Sequence, residues 1–330
     1  MPESIRLILV DNGSDPPTQK FLEGFQSSHS SGVLLIRNAK NEGFIKGVNR
    51  GIQAGDAPWV CVMNNDTVTA SGWLTEMLKI AQSDPSIGLV NPTSNSLGFH
   101  HGKIPIESYA AGLRPYSGQW TGLSTALGFC LLGRRSLFEK VGLFDEAFGM
   151  GYFEDDDLSN RVKAAGFLCV RACGAYVYHE ERASFSLIPQ KNEAFLYNRR
   201  LFEKRWGRRL RILWTFKAGP SSSHLFPTEA IRRLASEGHW LTVAVSSGDL
   251  PEEIRSYSQV SSLKTHGLPW RWAAALRLLI KRKKPFDVVV SDDAMWLRCL
   301  HFMGWFHRAR LFQMVSGEEI VEKCRALSHA

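Results

Sequence analysis

Residues 5–66 read IRLILVDNGSDPPTQKFLEGFQSSHSSGVLLIRNAKNEGFIKGVNRGIQAGDAPWVCVMNND. Three short apolar runs, 5–10, 32–37 and 59–63, each lead into polar or turn-forming residues. Between them lie one helical stretch around Thr18 to Gln26 and a loop with a second helix within NAKNEGFIKGVNRGIQAG. Strand, helix, strand, helix, strand at this spacing predicts a parallel sheet with crossover helices, hence an α/β fold. Parallel sheets take ligands at the carboxyl ends of their strands. Asp11 and Asp66 both stand at such ends, so one rim is expected to carry both.

Further along, residues 70–82 are expected to be helical. Residues 92–125 are rich in Gly, Ser, Pro and Tyr and predict a long loop over the site. LGFCLLG (127–133) predicts a buried strand, followed by a helix from Ser136. The stretch Gly142 to His179, GLFDEAFGMGYFEDDDLSNRVKAAGFLCVRACGAYVYH, carries the densest chemistry. Glu154, Asp155, Asp156 and Asp157 open a helix that closes at Gly166, directly after the aromatic Tyr152 and Phe153. Crowded carboxylates repel one another, so a chain places them either for solvation or to handle cations and protons. The aromatic run before them, and the strand and histidine after them, favour a working site. Short strands are expected at Leu168 to Val170 and ending at Tyr178-His179, and a helix over roughly Gln190 to Trp206.

At Leu210 the pattern restarts. RILWTF predicts a strand, KAGPSSSHLFP a loop, TEAIRRLASEGH a helix stopped by Gly238, LTVAVSS a strand, residues 269–283 a basic amphipathic helix and DVVVSDD (287–293) another strand. Two domains are therefore expected, residues 1–207 and 208–330.

The chain has 330 residues, with 44% hydrophobic and 22% charged residues, the balance of a soluble globular protein. It holds no uncharged apolar run long enough for a membrane span and no charged-then-apolar secretory leader. Of six cysteines only Cys169 and Cys173 lie close, without a second pair at zinc-site spacing. Buried free thiols in a reducing compartment, the cytoplasm, are expected. The net charge of +8 lies partly in Arg199–Arg211 and Arg277–Lys284. These runs are either solvated helix faces or a peripheral attraction to an anionic membrane surface or phosphorylated substrates. No recognisable nucleic-acid module accompanies them, so no nucleic-acid partner is expected.

Asn64-Asn65-Asp66 allows two readings. An acid directly after a buried strand can hold a hard divalent cation together with substrate phosphates; Asn and Asp are also ordinary turn residues. His179 is either a further metal ligand or a structural strand-end histidine.

Taken together, VDNGS (10–14), NEGFIKGVNRGI (41–52), NNDT (64–67), GLFDEAF, GYFEDDDL and Arg161 (142–161) and YHE (178–180) resemble, in order and spacing, the family 2 glycosyltransferases of GT-A fold. The nearest likeness is to the rhamnosyl- and galactofuranosyl-transferase-like branch, across residues 5 to about 205. NNDT looks like the family's Asp-X-Asp metal motif and FEDDDL like its Glu-Asp-X-Asp-Leu motif.

The resemblance implies an inverting enzyme of polysaccharide and cell-envelope biosynthesis. It would move a sugar from a nucleotide-sugar donor to a glycan, lipid-linked or protein-linked acceptor. Asp11, Asn41, Gly43, Asn49 and Asn65 would contact the donor. Asp66 and His179 would hold Mn2+ or Mg2+. Asp155 would be the catalytic base with Glu154 close to the acceptor or sugar, and Asp157 with Arg161 would brace the helix. A helix N-terminus favours the ionised form that a base needs, and carboxylate repulsion opposes it; the sequence leaves the winner open.

Two departures stand out. Asn64 replaces the first acid of the metal motif. The family also has another strand and helix before the VDNGS strand, so a chain lacking that unit is expected, as a truncated product or from a misplaced start.

The stretch from Leu210 to Ala330 resembles, more loosely, the N-terminal half of a GT-B glycosyltransferase of family 4, which implies an incomplete second enzyme or a Rossmann-like domain without its own catalysis. Gly219 and His224 are candidates there to approach an acceptor. The competing reading of the whole is an inactive nucleotide- or carbohydrate-binding remnant. A hydrolase would need a paired acid and base across the bond, and a nucleotidyltransferase a Gly-X-Gly-X-Arg-type loop that is not seen.

Overall fold

The computed structural model describes residues 5–29, 32–180, 191–216, 226–245, 249–263 apart from 256 and 258, then 274, 275, 278 and 285–330. Gly219, His224 and most of the basic stretch 269–283 lie outside the described residues. The chain divides into two compact units, residues 1–120 with 126–199, and residues 121–125 with 200–330.

In the first unit, β1 (Leu7–Asn12) and β2 (Val33–Asn38) pair in parallel, Leu7 opposite Val33 and Asn12 opposite Asn38. The crossover is α1 (Pro16–Ser28). Prolines occupy its first turn, where no N–H is needed, and Asp15 caps it by accepting from Thr18 N–H.

A helix α2 (Phe44–Gln53) leads to β3 (Trp59–Met63), but β3 does not extend the parallel pair as the sequence pattern predicts. It pairs antiparallel with β7 (Cys130–Arg134) in a separate mixed sheet, which also holds β4 (Thr67–Thr69), β5 (Ile87–Thr93) and β8 (Leu168–His179). The order is β3-β7-β5-β8-β4. α2 touches both β1 and β3, yet no hydrogen-bond ladder joins those strands. Among the described residues β1 has only β2 beside it and β3 only β7.

The expected loop at 92–125 contains helix α4 (Ile106–Leu113), which follows α3 (Trp73–Ser83), and a short strand β6 (Trp120–Gly122). The two strands expected before His179 are one, β8. Its register against β5 shifts before Leu89 and again at Thr93, which then faces Tyr176. Past that irregularity β8 leaves β5 and pairs with β4, setting His179 opposite Thr67. Every residue of β5 is buried. Its Asn91 is satisfied there by donating to Leu127 O (2.7 Å) and Cys130 O (2.6 Å) and accepting from Leu127 N–H (2.8 Å). That one amide fixes the segment entering β7. The helices α5 (Arg135–Val141), α6 (Glu154–Ala164) and α7 (Lys191–Trp206) follow, the last crossing the division between the units.

The second unit is a parallel sheet of β9 (Arg211–Phe216), β10 (Trp240–Val245), β11 (Val260–Ser262), β12 (Val288–Ser291) and β13 (Arg310–Gln313), ordered β11-β10-β9-β12-β13. This is a Rossmann-like arrangement. β9 alternates its side chains between two cores, Ile212, Trp214 and Phe216 on one face and Leu213 on the other. Of the cysteines, Cys130, Cys169, Cys173 and Cys324 are buried thiols, whereas Cys61 and Cys299 are exposed, contrary to expectation.

Candidate active site

α6 begins abruptly. Tyr152 (φ 74°) and Phe153 (φ 71°) both adopt left-handed backbone conformations before the helix opens at Glu154. The four acids then fall in its first turn, where the helix dipole favours negative charge. They divide by environment. Asp157 is buried and accepts from Arg161 Nε at 2.8 Å, one turn on. The Arg161 guanidinium also donates to the carbonyls of Val141, Gly142 and Leu143, tying α6 to the end of α5.

Among the described residues no cation pairs with Glu154 or Asp155, and Glu154 Oε2 and Asp155 Oδ1 are inaccessible and accept no hydrogen bond. Burial, with the Asp156 charge adding to it, pushes Glu154 up to about 7. Burial and then the Glu154 charge push Asp155 well above the ordinary carboxylate range, although a bond from the Gly128 backbone opposes this. The contest that the sequence left open is decided by desolvation and repulsion.

Gly128 abuts Asp155. A Cβ at Gly128 would lie 2.7 Å from Asp155 Oδ1 and 3.1 Å from the Phe44 ring, so any larger residue there would have to displace the carboxylate. The next residue, Phe129, stacks on His179 with ring centroids 4.9 Å apart and planes 13° apart. His179 Nε2 in turn lies 3.1 Å from Asp66 Oδ1 and 3.4 Å from Asn64 Nδ2. Asp66, His179 and Asp155, distant in sequence, are thus gathered around the dipeptide Gly128-Phe129.

His179 is held on its other side by residues the motif reading missed. Ser96 Oγ lies 2.9 Å from Nδ1. Asn95 clasps the His179 backbone, donating to its carbonyl (2.7 Å) and accepting from its N–H (2.8 Å). If Nδ1 carries the proton and donates to Ser96, the Nε2 lone pair faces Asp66. Among the described residues no group of three or more His, Cys, Asp or Glu side chains is placed to hold a metal.

The donor residues expected from the resemblance divide. Asp11 is buried at the end of β1, accepting from Ser14 N–H (2.9 Å) with Oδ2 3.5 Å from Arg37 Nε. Asn41 Oδ1 accepts from Asn12 Nδ2 (3.0 Å) and Gly43 N–H (2.9 Å), fixing the loop before α2. Gly43 (φ 89°) suits that position because its backbone conformation strains any other residue, and a Cβ would also meet Met150 Sδ at 2.9 Å. Asn49 is buried and clamps the Phe144 backbone, donating to its carbonyl (2.8 Å) and accepting from its N–H (3.1 Å), so its placement is structural. Asn65 is exposed. Asp11 and Asp66 stand at the ends of strands in different sheets, not on one parallel rim.

Residues 1–142 match the family model described as "Glycosyl transferase family 2". A curated relative from Mycobacterium tuberculosis, "N-acetylglucosaminyl-diphospho-decaprenol L-rhamnosyltransferase", is 29% identical over 69% of this chain and 85% of its own length. The "Uncharacterized protein y4gI" of Sinorhizobium fredii is 28% identical over 62% of this chain, which spans only 24% of that relative. Among solved structures, GalNAc-T7 with UDP, GalNAc and Mn2+ overlaps 60% of this chain and 42% of its own at 14% identity and a TM-score of 0.47. The mannosyltransferase PcManGT from Pyrobaculum calidifontis, with GDP-Man and Mn2+, overlaps 98% and 77% at 13% identity and a TM-score of 0.41. These two likenesses are too slight to carry weight; the similarity to family 2 glycosyltransferases rests on the sequence matches, and the family-model match is confined to residues 1–142.

Proposed function

We propose that the first unit, as a GT-A domain, transfers a sugar with inversion from a nucleotide-sugar donor to an acceptor hydroxyl. The observation that carries this is the gathering of Asp155, His179 and Asp66 around Gly128-Phe129. The acceptor oxygen attacks the anomeric carbon as the bond to the nucleoside diphosphate breaks, and the hydroxyl proton passes to Asp155. A carboxylate whose proton affinity is raised by burial is a stronger base than a solvated one. Glu154, buried beside it, keeps that affinity high. Asp11 and the Asn41–Gly43 loop are the proposed donor contacts.

Asp66 and His179 fit a divalent cation. A carboxylate oxygen and an imidazole nitrogen are both donors such an ion takes, and Oδ1 and Nε2 already stand 3.1 Å apart. Such a cation would neutralise the departing diphosphate. With Asn64 in place of the first acid, the donor's own phosphate oxygens would complete its ligands.

The lipid-linked acceptor named for the mycobacterial relative makes a polyprenyl-diphosphate sugar the first acceptor class to test, at the periphery of an anionic membrane. No helix among the described residues is long and apolar enough to cross one. The domain boundary is proposed at residues 207–208, close to the division found at 199–200. The all-parallel sheet of the second unit supports its likeness to a partial GT-B domain. The separation of the β1–β2 pair from β3 supports a place for one more strand between them. It also favours the second reading, a binding remnant without turnover.

A donor panel assayed with and without Mn2+ against polyprenyl-linked and free glycan acceptors separates the two. Turnover that Asp155→Asn abolishes supports the enzyme. Metal-independent nucleotide binding without transfer by any donor overturns it.

A further inference from the structure

We infer that Asn198 is a positioning residue, which holds the left-handed turn Tyr152-Phe153 and so aims the first turn of α6, with Glu154 and Asp155, at the site. What those acids do there rests on the glycosyltransferase reading; the mechanical role of Asn198 does not.

Two consecutive non-glycine residues at positive φ are unfavourable, because each Cβ crowds its neighbouring carbonyl, and such strain persists only where the surroundings impose it. Three contacts impose it here. Asn198, on α7 and only 4% exposed, donates Nδ2 to Phe148 O (2.7 Å) and Gly151 O (2.7 Å), with Tyr152 O at 3.3 Å. One turn earlier Phe195 sets its ring edge-on to Tyr152 (centroids 5.5 Å, 87°) and 5.3 Å from Phe153. On the far side Met150 packs against Gly43.

The carbonyls turned inward by this geometry need donors, since a buried unpaired carbonyl is costly. The two Nδ2 hydrogens of Asn198 supply them. The Phe153 carbonyl then accepts the first α6 hydrogen bond, from Asp157 N–H at 2.9 Å. The direction in which the acids leave the turn therefore depends on an amide more than 40 residues away in sequence. An apolar residue at 198 would fill the space but take the Nδ2 donor from the carbonyls of Phe148, Gly151 and Tyr152, so the choice of Asn points to geometry rather than packing.

Hydrogen exchange on the whole chain tests this without relying on turnover. Asn198→Ala is expected to speed exchange of the amides of 151–157 by about tenfold or more while β5 and β7 stay protected. Adding Phe153→Gly should restore protection, because glycine takes positive φ without a side-chain penalty. Should Asn198→Ala fail to fold, Asn198→Asp, of the same shape but without the donor, is expected to loosen the same segment.

In assays of transfer, Asn198→Ala should lower kcat by about 10- to 100-fold with donor KM unchanged, and Phe153→Gly should again rescue it. Unchanged exchange at 151–157, or loosening of the whole unit that Phe153→Gly does not relieve, overturns the inference. A wild-type chain inert to every donor would sink the enzymatic reading and leave the exchange result standing.

Discussion

His179 Nε2 and Asp66 Oδ1 stand 3.1 Å apart across 113 residues of chain. β8 brings them together by leaving β5 at an irregularity and pairing with β4, so the imidazole arrives opposite Thr67, the residue after Asp66. On the other side of the ring Ser96 Oγ engages Nδ1.

Calorimetry of nucleoside diphosphates should therefore show Mn2+-dependent binding that His179→Ala or Asp66→Asn removes. Ser96→Ala, which removes the hydroxyl at the far nitrogen, should weaken it by about 10- to 100-fold. Binding by His179→Ala with undiminished metal dependence would refute the assignment.

Asp155→Asn keeps the shape and removes the base. Loss of roughly 100- to 10,000-fold in kcat is expected with donor affinity preserved. Because burial and Glu154 raise its proton affinity, the wild-type rate should climb with pH above the ordinary carboxylate range. Glu154→Gln removes the repelling charge and should move that limb to lower pH. A limb at the position of a solvated carboxylate would contradict the buried base.

The same shift bears on stability. Glu154 holds its proton to about 7 in the folded chain against an ordinary value of 4.5. The folded state thus binds more protons than the unfolded one between those values. Its contribution is full below about pH 4.5 and is lost as pH rises through 7. Tm should fall between pH 5 and pH 8 by on the order of 5 °C, and Glu154→Gln should flatten that slope. A Tm rising over the same interval in parallel for both proteins would rule this out.

Gly128→Ala adds one carbon where Asp155 Oδ1 would lie 2.7 Å away. It should cost about 1–3 kcal/mol of stability, read from denaturant unfolding, and lower kcat more than it lowers donor affinity. An active, fully stable Gly128→Ala would mean that the carboxylate does not sit there.

Arg161→Ala takes the cation from buried Asp157 and the donors from three carbonyls at the end of α5. A loss of about 3–5 kcal/mol is expected, and Arg161→Lys should recover only part, since an ammonium cannot serve the carboxylate and the carbonyls at once.

What the sequence made legible were the elements with strong local signals. Short apolar runs leading into polar or turn-forming residues gave β1, β2, β3 and β9, and the acid run after Tyr152-Phe153 gave α6. Pairing was less legible, because a buried apolar strand reads alike whether its neighbour is parallel or antiparallel, so β3 was expected beside β1 and lies beside β7. The metal and base candidates could be named because acids at strand and helix ends are conspicuous. Their supports could not. Gly128 is one glycine in a stretch read as a buried strand, Asn95 and Ser96 lie in a polar stretch read as loop, and Asn198 hides in a basic helix where an amide looks solvated. Each matters through a partner 27 or more residues distant, which no local pattern reports.

That, among the described residues, β1 pairs only with β2 and β3 only with β7 has a practical consequence. Leu7 and Met63 are 40% and 41% exposed there, and Phe21 on α1, a helix with no buried residue, is 68% exposed. Backbone groups without a ladder, flanked by apolar side chains, are templates for another chain. Purified by itself, the protein should be sticky: its light scattering should grow with concentration, and a short apolar peptide added in excess should keep it clear.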